Sequence, residues 1–243
     1  IENFDEAKNI FLTLLNIEPN PYMTLNNLGN IFYIEKNFDQ AAFYFKKSLK
    51  ENKSFGLVYN GLGLIFYHKK DFHKAIEKFS EFINFEPKNE TGYLNLGNCY
   101  KELETYDKAL ECYNTAVKIN NNNHLVHNNI GTIHAVNNNN VSAIESFSKA
   151  INIKKDYSQP LINRAKIFIE TGKDDDGLSD LQMAISLSPD NFDCNNLLAI
   201  FYYKSGMYKN AVKYFSKVNE LIPRQRETLN NIGMSYLHLR QYK

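Results

Sequence analysis

A period of 34 residues runs through the whole sequence, and it constrains the fold more than any other feature. Three columns keep this period without an insertion. One holds small residues: Gly29, Gly63, Gly97, Gly131, Ala165, Ala199 and Gly233. The second is also small: Ala7, Ala41, Ala75, Ala109, Ala143, Gly177 and Ala211. The third is large and apolar: Phe11, Phe45, Phe79, Tyr113, Phe147, Leu181 and Phe215. Such a period is typical of proteins in which each repeat packs only against its neighbours.

Each repeat contains two segments with helical periodicity. In residues 90–123, Leu96, Gly97 and Tyr100 follow Tyr93 at the i+3, i+4 and i+7 spacing of one helical face. Tyr106, Ala109, Tyr113 and Ala116 continue the spacing after a short break. Four prolines share one column, where proline ends a helix because it has no backbone N–H to donate: Pro19, Pro87, Pro189 and Pro223. The asparagine runs 120–123 and 137–140 fall where turns are needed. We therefore predict a helical hairpin in each repeat.

These columns resemble the tetratricopeptide repeat. The resemblance lies in Leu-Gly, a Tyr or Phe three residues later, then an aromatic, Ala, an aromatic, Ala and a closing Pro, as in 93–116, and it covers the entire chain. It implies an all-α, right-handed superhelical solenoid of antiparallel helix pairs, with about seven repeats. Numbering each repeat so that the small residue is position 8, we expect one solenoid over 1–243 with full repeats at 22–55, 56–89, 90–123, 124–157, 158–191 and 192–225.

Half-repeats are expected at both ends, over 1–21 and 226–243. The first is predicted to be an unpaired second helix at about 3–17 and the last an unpaired first helix. Neither has the polar capping helix that a complete solenoid needs, so we expect the chain to be a fragment of a longer protein.

Two repeats depart from the pattern. Repeat 124–157 has His127 and His134 in aromatic columns, and repeat 158–191 has Arg164 in the leucine column and Asp174 in an aromatic one. We expect these repeats to pack least tightly, with a weak point around 137–177 that is either a bend or a recognition patch.

Charge and cysteine usage narrow the function classes. There are 28 basic and 27 acidic residues, so the formal net charge of +1 gives no overall field toward nucleic acid. No apolar run reaches the length of a membrane span, and we expect no membrane insertion. The three cysteines, Cys99, Cys112 and Cys194, fit free buried thiols in a reducing compartment, which favours the cytoplasm, with the nucleus as the alternative.

No residue cluster predicts an enzyme, a cofactor or a metal site. His124, His127 and His134 are the densest group, but the last two lie in core columns and are interpreted as rings that replace tyrosine. Cys99 is expected to be a small core residue, and Lys173 to Asp176 a solvated turn between helices. The phosphate-binding glycine loop and the GxSxG and HExxH motifs are absent from the sequence. The chain is therefore expected to have no catalytic residues.

The resemblance implies that the first helix of each hairpin lines a concave groove, with positions 2, 5, 6, 9, 12 and 13 facing into it. Asparagine dominates position 6, as in the ladder that lines O-GlcNAc transferase. Its amide can bracket the backbone of an extended peptide, although asparagine is also common at this position across the family. The candidate groove residues are Asn27, Asn30, Tyr33, Asn60, Tyr67, Asn95, Asn98, Asn129, Asn163, Asn196, Tyr203 and Asn231. The predicted groove lacks the cationic residues of the carboxylate clamp with which chaperone-binding members of the family bind acidic C-terminal tails.

These features predict a scaffold or adaptor that binds an extended or helical segment of another protein in its groove. The alternative is the substrate-recruiting arm of a larger enzyme, such as an O-GlcNAc transferase-like glycosyltransferase. Self-association through the end repeats is a third hypothesis.

Overall fold

The computed structural model describes residues 4–241, which contain fourteen α-helices and no strand. Residues 1–3 and 242–243 of the two expected half-repeats lie outside the described residues. The chain divides into two compact units, Ile1–Asn122 and Asn123–Lys243, and each is described by itself.

The first unit contains helices α1 to α7. Helices α2 and α3, α4 and α5, and α6 and α7 pack as hairpins, and α1 packs on α2. Each hairpin also packs on the next, through α3 with α4 and α5 with α6. The helices are α1 Phe4–Leu14, α2 Tyr22–Ile34, α3 Phe38–Glu51, α4 Leu57–His68, α5 Phe72–Phe85, α6 Glu90–Glu102 and α7 Tyr106–Ile119.

The second unit repeats this arrangement with α8 to α14. Its hairpins are α8 with α9, α10 with α11 and α12 with α13, and α14 packs on α13. The helices are α8 His124–Val136, α9 Asn140–Ile153, α10 Ser158–Glu170, α11 Asp174–Leu187, α12 Phe192–Lys204, α13 Tyr208–Leu221 and α14 Arg226–Gln241. The predicted all-α architecture of stacked helix pairs is confirmed within each unit.

Close approach of the two helices explains the glycine column. A Cβ atom added to Gly63 would lie 2.6 Å from the Phe79 ring, and one added to Gly97 would lie 2.6 Å from the Tyr113 ring. Both rings are fully buried, so they have no room to move away. Gly63 and Gly97 therefore leave no room for a methyl group as their hairpins are packed, whereas the same column holds Ala165 and Ala199 in the second unit.

Every hairpin turn has the same backbone form. The residue at position 15 has a positive φ: Lys36, Lys70, Glu104, Asn138, Gly172 and Gly206. The N–H of the next residue bonds to a carbonyl five residues earlier, as in Asn37 to Phe32 at 2.8 Å and Lys173 to Phe168 at 2.7 Å. This is the Schellman ending, which satisfies the last carbonyls of the first helix.

Asparagine side chains start several helices, as the turn interpretation of the two asparagine runs predicts. Asn123 Oδ1 accepts from the N–H of Leu125 at 3.1 Å and Asn139 Oδ1 from that of Ser142 at 3.3 Å. These bonds satisfy N–H groups that have no partner within the helix.

The predicted turn at Lys173 to Asp176 is wrong in part. Only Lys173 precedes the helix, and the three aspartates form the first turn of α11. The physical reason is the partial positive charge of a helix N-terminus, which favours carboxylates there.

The α1 segment is shorter than predicted. The helix ends at Leu14, three residues before the expected end, and residues 15–17 form a turn that leads toward α2.

The expectation of loose packing in repeats 124–157 and 158–191 is wrong for the interior of their hairpins. Ile133, Phe147, Leu161 and Leu181 are as buried there as their counterparts elsewhere. His127 is also buried, at 6% exposure, in agreement with its interpretation as a core ring.

Candidate functional site

The first helices of neighbouring hairpins contact each other in both units. In the first unit α2 contacts α4 and α4 contacts α6, and in the second α8 contacts α10 and α10 contacts α12. We call the side chains at positions 2, 5, 6, 9, 12 and 13 of these helices and of α14 the inner face. Asn30 is exposed, and the other predicted groove residues are half-buried: Asn27, Tyr33, Asn60, Tyr67, Asn95, Asn98, Asn129, Asn163, Asn196, Tyr203 and Asn231. All twelve therefore keep some contact with solvent.

Two amides of the asparagine column link consecutive first helices. Asn95 Nδ2 on α6 donates to Asn60 Oδ1 on α4 at 2.9 Å. Asn163 Nδ2 on α10 donates to Asn128 Oδ1 on α8 at 3.2 Å, and Asn163 Oδ1 accepts from Gln159 Nε2 at 3.0 Å. In both pairs position 6 of one repeat bonds to position 5 of the preceding one. These amides thus stabilise the stack, whether or not they also contact a peptide.

The same geometry explains a buried oxygen without a partner. Asn26 holds position 5 of α2 with 5% exposure, and its Oδ1 atom accepts no hydrogen bond among the described residues. Position 6 of the next repeat is Gly61, which has no amide to offer. The Phe45 ring lies against Gly61 and, in its present place, leaves no room for a Cβ atom there.

Asn98, another predicted groove residue, also contacts the core of its own hairpin. Its Oδ1 atom accepts a 2.7 Å hydrogen bond from the Tyr113 hydroxyl, which belongs to the second helix of the same hairpin. This amide oxygen is therefore occupied by the hairpin core. Burial and the surrounding acidic groups raise the pKa of the Tyr113 hydroxyl above its ordinary range.

The three groove tyrosines belong to aromatic clusters, two of which have the same composition by column. Tyr33 lies 5.5 Å from the His68 ring, and His68 stacks on Phe38 at 5.4 Å. Tyr203 lies 5.9 Å from His238, and His238 stacks on Tyr208 at 4.6 Å. Each set combines position 12, position 17 and position 13 of the next repeat. We call these sets the first and second ring triads.

Tyr67 occupies position 12 of the next repeat, 56–89, where α4 contacts α6. Its ring contacts Phe72 at 5.5 Å, and its hydroxyl donates to Glu102 Oε1 at 3.4 Å, since glutamate takes the place of the histidine. Burial, with a contribution from Glu102, raises the pKa of Tyr67 to about 12. The repeat pattern predicts the tyrosines as groove residues but not the histidines, whose signal in the sequence is their recurrence 35 residues after a tyrosine.

Arg164, the most conspicuous departure from the repeat pattern, is paired inside the second unit. Its Nε and Nη2 atoms each donate to a carboxylate oxygen of Asp180 at 2.8 Å, and Nη1 donates to Ser148 Oγ at 2.7 Å. Asp180 is 7% exposed. The bidentate pair with Asp180 and the bond to Ser148 explain how a cation is tolerated in the leucine column.

An open cavity of about 610 Å³ lies on the inner face of the second unit, between α10 and α12. Its apolar lining residues, which we call its floor, are Ile169, Leu197, Ile200 and Phe201. The other lining residues are Lys166, Glu170, Gly172, Asp174, Lys204 and Ser205. The volume lies within the range of ligand-binding clefts. We call it the α10/α12 cavity.

Residues 4–241 contain neither a metal-binding cluster nor a thiol with a lowered pKa. No set of three or more His, Cys, Asp or Glu side chains there could hold a metal ion. Burial raises the pKa of the Cys99 and Cys194 thiols to about 12 and that of Cys112 to about 11, which keeps them protonated and weakly nucleophilic near neutral pH. Within the same residues, no helix has the length and apolarity to cross a membrane.

Comparisons with known proteins agree on the repeat. Models of the tetratricopeptide repeat match residues 28–90, 91–123 and 192–225, which together make up just over half of the chain. No curated protein sequence is similar enough to be counted as a relative.

Solved structures share the fold at low sequence identity. The APC/C hetero-tetramer Cut9–Hcn1 matches 96% of the chain with a TM-score of 0.83 and 17% identity, and the match covers 46% of that protein. The match with Pseudomonas aeruginosa pilF covers 100% of both chains, with a TM-score of 0.74 and 16% identity. YrrB, described as a TPR protein with an unusual peptide-binding site, matches 76% of this chain and 96% of its own, with a TM-score of 0.58 and 17% identity. The chain thus spans less than half the length of the first of these.

Proposed function

Because the chain belongs to the tetratricopeptide repeat family, whose members generally act as scaffolds for protein–protein interaction, we propose that its inner face binds an extended or helical segment of another protein. The observation that carries this proposal is the direct contact between successive first helices within each unit. Such contact places amides and rings from several repeats side by side. A polypeptide segment that lies along them could meet one repeat after another.

The chemistry of the inner face suits a peptide of ordinary charge. Half-buried amides offer donors and acceptors to a peptide backbone, and half-buried tyrosines and leucines offer apolar contact. Charges on this face are few, among them Lys101, Glu102, Lys166 and Lys204. Recognition would therefore rely on backbone hydrogen bonds and apolar side chains, without electrostatic steering.

A peptide library displayed on phage tests the proposal directly. Peptides selected on the intact chain are compared for binding to Asn30→Ala and Leu57→Ala, which alter exposed side chains of the inner face. The matched control is Lys46→Ala on α3, an exposed second-helix position. We expect weaker binding, by at least about fivefold, to the inner-face variants and unchanged binding to the control.

Two outcomes of this experiment oppose the proposal. One is that no peptide is selected, and the other is that the selected peptides bind the inner-face variants as well as they bind the intact chain. Asn95 and Asn163 are unsuitable for this purpose, because their amides also join consecutive helices and their loss would confuse stability with binding.

The recruiting-arm alternative places the same binding face on a larger enzyme. It differs only outside residues 1–243, so the full-length reading frame distinguishes the two hypotheses. A catalytic domain in that frame would favour the recruiting arm, and further repeats alone would favour the scaffold.

Self-association stays a prediction for the chain as given. Gly233 on α14 has no described atom within 4 Å of the place where a Cβ would lie, and Leu229, Tyr236 and Leu237 on the same helix are exposed. Light scattering over a concentration series measures the mass. A constant monomer mass at high concentration would refute the hypothesis.

A further inference from the structure

The α10/α12 cavity occupies the columns that hold a ring triad elsewhere. Position 12 is Ile169 where the triads have Tyr33 and Tyr203, and position 17 is Asp174 where they have Phe38 and Tyr208. Position 13 of the next repeat is Lys204, in the column of His68 and His238. Ile169, Asp174 and Lys204 all line the cavity. The space is open at the columns where the chain elsewhere places three mutually contacting rings.

The lining is suited to an aromatic group. Leu197, Ile200 and Phe201 form an apolar floor against which a ring can pack. In the second triad the residue at the Lys204 column stacks on the position 17 ring at 4.6 Å. A lysine in that column can place its ammonium over a bound ring, as Lys74 does over Phe66 at 5.6 Å and Lys173 over Phe168 at 5.9 Å.

The charged side chains that line the cavity balance one another in sign. Lys166 and Lys204 are balanced by Glu170 and Asp174, and among the described contacts no ion pair joins these four side chains. The balance leaves no net charge for an anion or a cation to neutralise. A neutral ring gains apolar burial and cation–π contact without breaking an existing pair.

We propose that the α10/α12 cavity is an anchor pocket for one aromatic side chain, tyrosine or phenylalanine, of the polypeptide bound on the inner face. This proposal rests on the proposed function and specifies it, since it names the residue type that the second unit recognises. The bound ring takes the place of the rings that Ile169 and Asp174 do not supply. The position of the cavity also coincides in part with the segment 137–177, for which the sequence predicts either a bend or a recognition patch.

The chain provides its own control for this pocket. The triple variant Ile169→Tyr, Asp174→Phe, Lys204→His rebuilds the residue set of the first ring triad in the α10/α12 position. We expect the variant to remain folded, because the chain already accommodates these residue types in the same columns at Tyr33, Phe38 and His68. If circular dichroism shows that the triple variant is unfolded, the double variant Asp174→Phe, Lys204→His takes its place.

The first experiment uses N-acetyl-L-tyrosinamide as the probe, with N-acetyl-L-alaninamide and N-acetyl-L-leucinamide as controls. Methyl NMR of the intact chain follows Ile169, Leu197 and Ile200 during titration. We expect saturable shifts at these methyl groups with the tyrosine probe only. The variant should lose at least about tenfold in affinity, monitored at Leu197 and Ile200. Absence of local shifts, equal binding of the leucine probe, or undiminished binding by the variant would overturn the proposal.

The second experiment separates this pocket from the proposed function. Peptides selected from the phage library by the intact chain should carry an aromatic residue at a fixed place, and those selected by the variant should lack that preference while still binding the inner face. Selected peptides without an aromatic preference would refute the anchor pocket and leave inner-face binding intact. Failure to select any peptide would count against the proposed function, whereas the tyrosinamide titration would still decide the pocket.

Discussion

At the scale of single residues, position 5 of the repeats contains two amide oxygens that accept a hydrogen bond and one that accepts none. Asn128 and Asn60 accept bonds from the next repeat, whereas Oδ1 of Asn26 is buried without a bond because Gly61 stands opposite. Leu94 and Ile162 occupy the same column and are also buried. The fold therefore accepts an apolar side chain at this position.

This contrast predicts different effects for the same substitution at two sites. Asn26→Leu removes an unsatisfied buried oxygen and should raise the free energy of unfolding by about 1 kcal/mol or more. Asn128→Leu removes the acceptor of Asn163 and should be less favourable than Asn26→Leu by at least about 1 kcal/mol. Urea denaturation of both variants measures the difference. Equal effects would mean that the Asn128–Asn163 bond adds no stability.

The buried Arg164–Asp180 pair predicts strong coupling between two substitutions. Arg164→Leu restores the leucine of the repeat pattern but leaves the Asp180 carboxylate buried without its partner, which should cost about 3 kcal/mol. Adding Asp180→Ser, the residue type of Ser146 in the same column, should recover most of that loss. A double-mutant cycle by chemical denaturation gives the coupling energy. Additive effects would show that the pair is not coupled.

At the scale of helices and hairpins, alanine substitutions in the glycine column distinguish the effect of packing from the effect of helix propensity on stability. Gly63→Ala gains helix propensity but places a methyl group against the fixed Phe79 ring, whereas Gly233→Ala meets nothing within 4 Å. Relative to Gly233→Ala, the Gly63→Ala variant should lose about 1–3 kcal/mol of stability. Thermal unfolding of both variants is the measurement. A Gly63→Ala protein as stable as Gly233→Ala would show that the hairpin can widen without cost.

Much of the helix and hairpin structure could be predicted from the sequence, because every hairpin core uses the same columns of the repeat. The helix pairs, the glycine and aromatic columns and the asparagine turns all follow from periodic residue types. The left-handed residues at position 15 could be predicted only in part. Gly172, Gly206 and Asn138 suit that conformation, whereas Lys36, Lys70 and Glu104 carry no local signal and are held in it by the Schellman bonds around them.

The candidate site could be predicted less well, because its specific features depend on residues that differ between repeats. The positions of the groove asparagines follow from the family pattern, but their bonds to the preceding helix depend on a second column. Arg164 was visible as a departure, and Asp180 was not, because its column has no fixed residue type. The α10/α12 cavity lies where three columns lack rings, but Ala135, Asn140 and Glu170 lack rings in the same columns one repeat earlier, so residue type alone does not predict the cavity.

At the scale of the whole molecule, the buried thiols predict sensitivity to alkaline pH. Burial raises the pKa of Cys99 and Cys194 to about 12 and that of Cys112 to about 11, above their ordinary value. Above pH 9 or so the unfolded chain therefore loses protons that the folded chain keeps, and stability falls as the pH rises toward these values, by at most about 1.4 kcal/mol per thiol per pH unit. Below that pH the thiols are protonated in both states and contribute no slope.

Urea denaturation between pH 7 and pH 10.5 measures this loss. The variant Cys99→Ala, Cys112→Ala, Cys194→Ala should show a shallower decline at alkaline pH than the original chain. An equal decline in both proteins would assign the effect to other groups, such as Tyr67, whose pKa is raised to about 12.

Because the Phe45 ring lies against Gly61 of the next repeat, packing depends on the order of the repeats as well as on their period. A shuffled gene that removed 56–89 would keep the period intact and would bring Asn95 to the place of Gly61, against which the Phe45 ring now lies. The Phe45 ring would then have to shift, because the chain combines a phenylalanine in that column with an asparagine at position 6 only in other repeats, as in Phe79 with Asn95 and Phe147 with Asn163. Repeats that look interchangeable by their period are thus matched to particular neighbours, and gain or loss of whole repeats during evolution would require the side chains at these contacts to readjust.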